Sequence, residues 1–278
     1  MDFLLFGNIY VAFGAACLVQ SSIIQLQLKN TLPAYTFLVF FSSLFVYNFQ
    51  RVFYKPQQNI SLHSIRRIWI FNNAIIIKTL AVIGFIGVSL SFFYVDKRVA
   101  FYLSPLLILC LAYFAPIIKL RKNPYLKLFT LVSVWTIVTA AVPILLQDSS
   151  LTERKNILHI CVRFCFMLAI CIPFDMRDLK IDEADAISTI PHLLGENRTR
   201  WLAIAFMILY DGLIIMSYYI HFLSYTVFVP LLAAAFVNTI LVALSTSKRS
   251  EYFYVAGIDG TMILQGVLLI LLSRVEIV

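Results

Sequence analysis

Nine apolar runs, each close to the length of a bilayer-spanning helix, divide this sequence and dictate what it can become. They cover residues 4–28, 33–54, 68–94, 99–118, 126–146, 157–174, 201–221, 224–246 and 255–273. A spanning helix needs about 20 predominantly apolar residues, and no soluble core of this size would bury so much apolar surface. Of the 278 residues, 61% are hydrophobic and 13% charged, and the mean hydropathy is +0.90, which excludes a soluble globular class. Transmembrane barrels are built from strands of about ten alternating residues, a pattern these runs lack. The expectation is an all-α fold: a polytopic membrane helix bundle with nine transmembrane helices, in a single domain over residues 1–278. Acidic Asp2, not a basic segment, precedes the first run, so that helix is expected to stay in the mature chain.

The net charge of +8 raises the question of nucleic acid, but its placement argues for membrane topology. In or beside the loops after the second, fourth, sixth and eighth runs lie fourteen Lys and Arg, against five in the alternate loops. The positive-inside rule then predicts a multi-pass protein of the cell inner membrane, with its N-terminus cytoplasmic and its C-terminus outside. No nucleic-acid partner is expected. The five cysteines fall in or beside the runs and read as small apolar packing residues.

Acidic residues are scarce and concentrate in one stretch, CIPFDMRDLKIDEADAISTIPHLLGENRTR, residues 171–200. Asp175, Asp178 and Asp182 are spaced i, i+3 and i+7, so a helix running through them would project all three from one face. Hard oxygens of this kind suit Mg²⁺, which commonly bridges carboxylates to substrate phosphates. Arg177 and Lys180 interleave with the acids and could contact a diphosphate. A solvated, salt-bridged loop is the plainer reading of the same residues. Ile190 to Leu194 reads as a short amphipathic segment at the membrane surface.

Two banks of cations sit on the same predicted side. Asn48, Arg51 and Lys55 repeat the i, i+3, i+7 spacing, and no acidic residue lies between Asp2 and Asp96 to pair with them. Their partners must come from elsewhere in the chain. Tyr113, Lys119, Arg121, Lys122 and Lys127 lie at the cytoplasmic edge where the fourth run ends, and a basic loop against anionic headgroups is the plain alternative. Lys78, Asp211 and Asp259 lie within runs, where ionisable groups are costly, and Lys78 is expected to pair with one of the two acids. Those three residues also motivate a transporter reading, against which the lack of paired broken helices counts.

Taken together these residues resemble the UbiA superfamily of intramembrane prenyltransferases. The stretch with Asp175, Arg177, Asp178 and Asp182, followed by Thr189, Pro191 and Gly195, is similar to that family's second Asp-rich motif. The segment from Tyr113 to Lys119 is similar to its signature after the fourth helix. The resemblance implies a nine-helix bundle in which Mg²⁺ grips a prenyl diphosphate, an allylic cation forms in an apolar cavity, and a lipid-soluble, often aromatic, acceptor attacks it. It assigns catalysis and metal binding to Asp175, Asp178 and Asp182, and substrate binding to Asn48, Tyr113, Lys119 and Arg177; Arg51 and Lys55, which stand where the family carries acids, are expected to bind substrate through their own charge.

The first Asp-rich motif of the family is degenerate here, since Asn48 is followed by Phe49, Gln50, Arg51 and Val52. One Mg²⁺ site is therefore expected, not two. Either Arg51 and Lys55 replace the missing metal on the diphosphate, as guanidinium geometry permits, or they cross the site and pair with the aspartates. Unit charges 4 Å apart attract by roughly 4 kcal/mol at an effective dielectric of about 20, enough to close an empty site. The alternative function is a catalytically inactive lipid-binding or scaffold protein of the same fold.

Overall fold

The computed structural model describes residues 1–28, 32–53, 64–114, 123–184 and 187–272. Their regular structure is entirely helical. The first run is not one helix. A short α1 (Asp2–Phe6) breaks at Gly7 and Asn8 before α2 (Ile9–Gln25), with Asn8 in the left-handed region at φ 61°, which asparagine enters more readily than most side-chain-bearing residues. Asn48, in α3 (Pro33–Phe53), fastens this break. Its Nδ2 donates to Gly7 O at 3.0 Å and Leu44 O at 2.8 Å, and its Oδ1 accepts from Asn8 Nδ2 at 3.0 Å.

The run expected over 68–94 is likewise two elements. A short α4 (Ile65–Asn72) stops at Asn73, whose Nδ2 donates to Trp69 O at 2.8 Å, and α5 (Ala74–Phe92) begins anew. Asparagine side chains compete for backbone bonds and favour such breaks. Lys78 consequently lies near the start of α5 and is exposed, where its stem can carry the ammonium to the interface. It is not the buried, paired cation the sequence suggested.

The chain continues through α6 (Arg98–Phe114), α7 (Pro124–Leu145), α8 (Arg154–Arg177), α9 (Leu179–Ala184), α10 (Ile190–Leu194), α11 (Glu196–Tyr219), α12 (Tyr225–Ala243) and α13 (Phe253–Leu272). Six of these, α5, α7, α8, α11, α12 and α13, are long and apolar enough to cross a membrane. The expected count of nine is not reproduced by that measure. Helices α2 and α6 have 17 residues each, and α3 is diluted by Tyr47, Asn48, Gln50 and Arg51. The apolar belt faces outward: Phe85, Ile208 and Phe236 are 58%, 63% and 67% exposed, as befits an integral membrane protein whose solvent is lipid.

Packing order explains how distant segments meet. Helix α3 lies between α5 and α2, α2 packs on α13, and α13, α12, α11, α8 and α7 follow in succession until α7 returns to α2. Small residues permit the closest approaches, as in membrane bundles generally. A Cβ on Gly84 would lie 2.7 Å from Phe45 N, and one on Gly266 would lie 2.8 Å from Cys17 O.

Two helices carry π-wound turns, over Ile137–Ala141 in α7 and Phe253–Ile258 in α13. Pro143 has no N–H to offer Thr139 O, four residues back. Ser22 Oγ donates to that carbonyl instead, at 2.6 Å, and Tyr35 Oη donates to Val138 O at 2.7 Å. An interrupted helix thereby acquires two cross-helix bonds, as the lipid interior requires of every exposed backbone group. In α13 the π turn closes with Asp259 N donating to Tyr254 O at 3.1 Å.

Candidate functional site

Helix α8 carries Asp175 near its C-terminal end and stops at Asp178 (φ −87°, ψ 5°). The chain then turns into α9, with Asp182 in its first turn. This stop overturns the expectation of one continuous acidic face. Asp175 and Asp182 converge, while Asp178 is turned toward other partners.

The group that brings the first two together is Lys127, from the first turns of α7. Its Nζ donates to Asp175 Oδ1 at 2.8 Å and to Asp182 Oδ2 at 2.9 Å. Asn123 caps α7 through Tyr125 N and Leu126 N, and Pro124 occupies the first helical position, so the start of α7 is fixed by local chemistry. The lysine is thereby presented from a rigid helix start. All three side chains are largely buried, at 14%, 10% and 4% exposure, a setting in which breaking one partner is costly.

Asp178 is held by arginines. Arg177 Nε and Nη2 donate to its two oxygens at 2.8 and 2.7 Å, a bidentate fork, and Arg66 Nη2 from α4 lies 3.5 Å from Oδ1. Burial alone would raise this carboxyl, but the charges of Arg177 and Arg66 together with the Arg177 hydrogen bond outweigh it and hold Asp178 well below the usual carboxylate range. Glu251 joins from the start of the last helical segment, 3.5 Å from Arg66 Nε and 3.8 Å from Arg177 Nη1, and accepts from Ser64 Oγ. The Arg177 guanidinium also lies over the rings of Phe174 and Tyr254, at 4.8 and 5.8 Å.

Arg51, at the end of α3, completes the cluster. Arg66, Arg67 and Arg177 all act on it electrostatically, as does Asp178. Among the described residues its buried Nε meets no hydrogen-bond acceptor. Four guanidiniums thus gather around the carboxylates of Asp178, Glu251 and Asp259, the last acting on Arg177 and Arg66, which leaves an excess of positive charge that an entering anion would offset. An open depression of about 570 Å³ lies beside Gly195, Glu196, Arg198, Thr246 and Lys248. It adjoins the cluster through Tyr254, whose Oη donates to Thr246 O at 2.6 Å.

Several sequence expectations change here. Asn48 is fully buried and its amide is taken by Gly7, Leu44 and Asn8, so it is a fastener of the α1–α2 break and not a substrate ligand in this conformation. Lys55, Lys119 and the side chain of Tyr113 lie outside the described residues. The aspartates are paired, as one of the two accounts expected, by Lys127, Arg66 and Arg177, with Arg51 near enough to Asp178 to act on it electrostatically. Glu251 was missed. The available signal was its scarcity, an acid closely following Lys248 and Arg249 on the predicted cytoplasmic side.

Among the described residues no three His, Cys, Asp or Glu side chains are arranged to hold a metal ion. The Lys127 ammonium sits between Asp175 and Asp182, where a bridging cation would sit, and the buried Asp175 Oδ2 has no hydrogen-bond partner. This oxygen pair fits one Mg²⁺ in exchange for the lysine. Thr189, Pro191 and Gly195 shape the segment that follows. Thr189 and His192 form a capping box at the start of α10, and Gly195, at φ 78°, separates α10 from α11.

No family model matches the chain, and no curated protein matches it by sequence. Solved structures do match in fold. A UbiA homologue from Aeropyrum pernix K1, in its apo form, superposes with a TM-score of 0.62 at 17% identity, over 95% of this chain and 98% of that one. A UbiA homologue from Archaeoglobus fulgidus bound to DMAPP and Mg²⁺ gives 0.64 at 9% identity, over 99% and 100%. A digeranylgeranylglyceryl phosphate synthase gives 0.56 at 12% identity, over 98% and 95%. At these identities the likeness establishes a shared fold along the whole chain.

Proposed function

We propose that this chain, which has the UbiA fold, is an intramembrane prenyltransferase that moves a prenyl group from an isoprenoid diphosphate to a lipid-soluble aromatic acceptor. The observation that carries the reading is the convergence of Arg51, Arg66, Arg177 and Lys127 on Asp175, Asp178 and Asp182 at one end of a membrane bundle. The distribution of Lys and Arg supports a cytoplasmic position for that end, in the cell inner membrane.

The diphosphate enters where the arginines repel one another. Arg51 and Arg66 contact its oxygens and take over the role of the missing acidic motif, while Arg177 stays clamped on Asp178. One Mg²⁺ held by Asp175 and Asp182 would neutralise the departing diphosphate, and the displaced Lys127 ammonium would turn to a phosphate oxygen. The C1–O bond of the donor breaks with both electrons passing to diphosphate. The allylic cation is then attacked by the acceptor ring, which releases a proton. Preorganised charge aimed at the leaving group is the main catalytic device.

The test is pyrophosphate release from a panel of prenyl diphosphates by purified protein, with Mg²⁺ and with chelator. Release is expected to need Mg²⁺ and to fall at least a hundredfold, about 3 kcal/mol, in Asp178→Ala. No Mg²⁺-dependent release by wild type would leave a non-catalytic lipid-binding protein, and equal release from wild type and variant would remove Asp178 from the site.

A further inference from the structure

The open depression at the start of α11 is separate from the arginine cluster. Leu194, Glu196, Asn197, Arg198, Thr246 and Lys248 line it, whereas Arg51, Arg66, Arg177 and Lys127 do not. Two segments build it, the turn from α10 into α11 and the loop between α12 and α13. Glu196 ties them together, its Oε1 accepting from Ser247 N at 3.1 Å and its Oε2 from Ser247 Oγ at 2.7 Å. That pairing occupies the carboxylate and fixes the loop residue next to Lys248, so Lys248 and Arg198 are held at one depression. Among the described residues neither cation has a carboxylate within ion-pair distance. Arg200 Nη2 donates to Asn197 Oδ1 at 2.9 Å, which brings a third cation to the edge of the lining.

Trp201 sets the level of this depression in the bilayer. It follows Asn197 by four residues and Arg198 by three, so it shares their side of α11 one turn further along, and it is 66% exposed. An outward-facing tryptophan at the end of an apolar helix marks the membrane–water interface. Past it α11 turns apolar surface outward at Ile208 and Leu209. One helical turn is about 5.4 Å, which puts the cations just outside the tryptophan, at the depth of lipid phosphates. The rim is greasy as well as basic: Leu194 in the lining is exposed, and so are Leu193 beside it and Leu244, two residues before Thr246.

We propose that this depression binds the headgroup of an anionic phospholipid, with its phosphate on Arg198 and Lys248 and its acyl chains running along α11 past Trp201. The volume of about 570 Å³ falls within the roughly 300–1,000 Å³ of small-molecule sites. Basic pockets between membrane helices take such headgroups, and the cytoplasmic leaflet supplies them. A free phosphate would answer the cations but leave the leucines and Trp201 uncovered. A zwitterionic headgroup would bring its own ammonium to the same cations, a repulsion that favours the anionic lipid. The prenyl-transfer reading does not require this site, and the site does not depend on catalysis.

The test reconstitutes full-length protein in phosphatidylcholine vesicles containing increasing fractions of phosphatidylglycerol with brominated tails. Quenching of Trp201 fluorescence, isolated by comparison with Trp201→Phe, reads lipid occupancy beside the depression. Phosphatidylglycerol is expected to bind there about tenfold to thirtyfold better than phosphatidylcholine, the contribution of two cations at the membrane surface. Arg198→Gln combined with Lys248→Gln should bring that ratio close to one. Lys97→Gln combined with Arg154→Gln removes the same charge from the alternate loops and should leave the ratio unchanged. All four residues are exposed, so both double variants are expected to fold. A wild-type ratio near one, or an equal fall in the two double variants, would reduce the effect to general charge attraction and overturn the proposal. So would loss of the preference on adding inorganic phosphate at constant ionic strength, which would make a free anion the occupant.

Discussion

Lys127 and Asp182 are 55 residues apart in sequence and 2.9 Å apart in space. The same ammonium holds Asp175 at 2.8 Å, so a lysine now does what a metal would do between two buried carboxylates. Lys127→Met is expected to cost the metal-free protein about 3–5 kcal/mol, because it strands two buried negative charges. Mg²⁺ should then restore much of that loss. Thermal unfolding with and without Mg²⁺ checks this, and a Mg²⁺-induced rise no larger in the variant than in wild type would show that lysine and metal do not share a site.

Arg51 and Arg66 differ in what they already hold. Arg66 stands 3.5 Å from both Asp178 and Glu251, whereas Arg51 has no ion pair among the described residues, and the buried Nε of each meets no hydrogen-bond acceptor there. If both meet diphosphate, Arg51→Ala and Arg66→Ala should each weaken pyrophosphate binding by about 10–100-fold, the worth of one or two charge-assisted bonds. Calorimetric titration with pyrophosphate measures it. Arg51→Ala should do so with little loss of thermal stability, and Arg66→Ala with a clear loss. A selective loss of stability with unchanged affinity would make both residues purely structural.

The membrane class and the location of the acidic site were legible because apolar length and acid scarcity are properties of the chain itself. The partners were not. Lys127 read as one more loop cation, and only the placement of α7 against α8 brings it to Asp175. Arg66 sat just ahead of a run that looked continuous, and the break at Asn73 is what turns it into part of a separate surface helix facing Asp178. The i, i+3, i+7 spacing promised one acidic face. A helix stop at Asp178 removed it, and nothing in the local sequence as strong as proline or glycine announced that stop.

Asp178 also sets an acid limit. Its carboxyl is held below the usual range despite burial, by Arg177 and Arg66. A depressed carboxyl stabilises fully above its unfolded value of about 3.9 and loses that contribution as pH falls through its folded value. Stability owed to this group should therefore be flat from pH 8 to about 5 and decline only below about 4. Asp178→Asn should remove that acid-dependent component while leaving the neutral region level. Unfolding midpoints across this range decide the matter, and a large change between pH 5 and 8 that disappears in the variant would contradict the assignment.

Glycine spacing separates packing from permissiveness in two helices of similar apolarity. A Cβ on Gly84 would meet Phe45 N at 2.7 Å and Phe45 Cα at 2.8 Å, backbone that cannot rotate aside. Gly84→Ala must push α3 from α5, at an expected 1–3 kcal/mol. Gly212, within α11, has nothing within 4 Å of such a Cβ, so Gly212→Ala should be neutral or stabilising by up to about 1 kcal/mol through helix propensity. Since α3 carries both Asn48 and Arg51, the shift caused by Gly84→Ala should also weaken pyrophosphate binding, which Gly212→Ala should leave intact. Thermal unfolding and pyrophosphate titration of the two variants side by side test the link between the α3–α5 contact and the arginine cluster, and a Gly84→Ala protein that is destabilised yet binds normally would sever it.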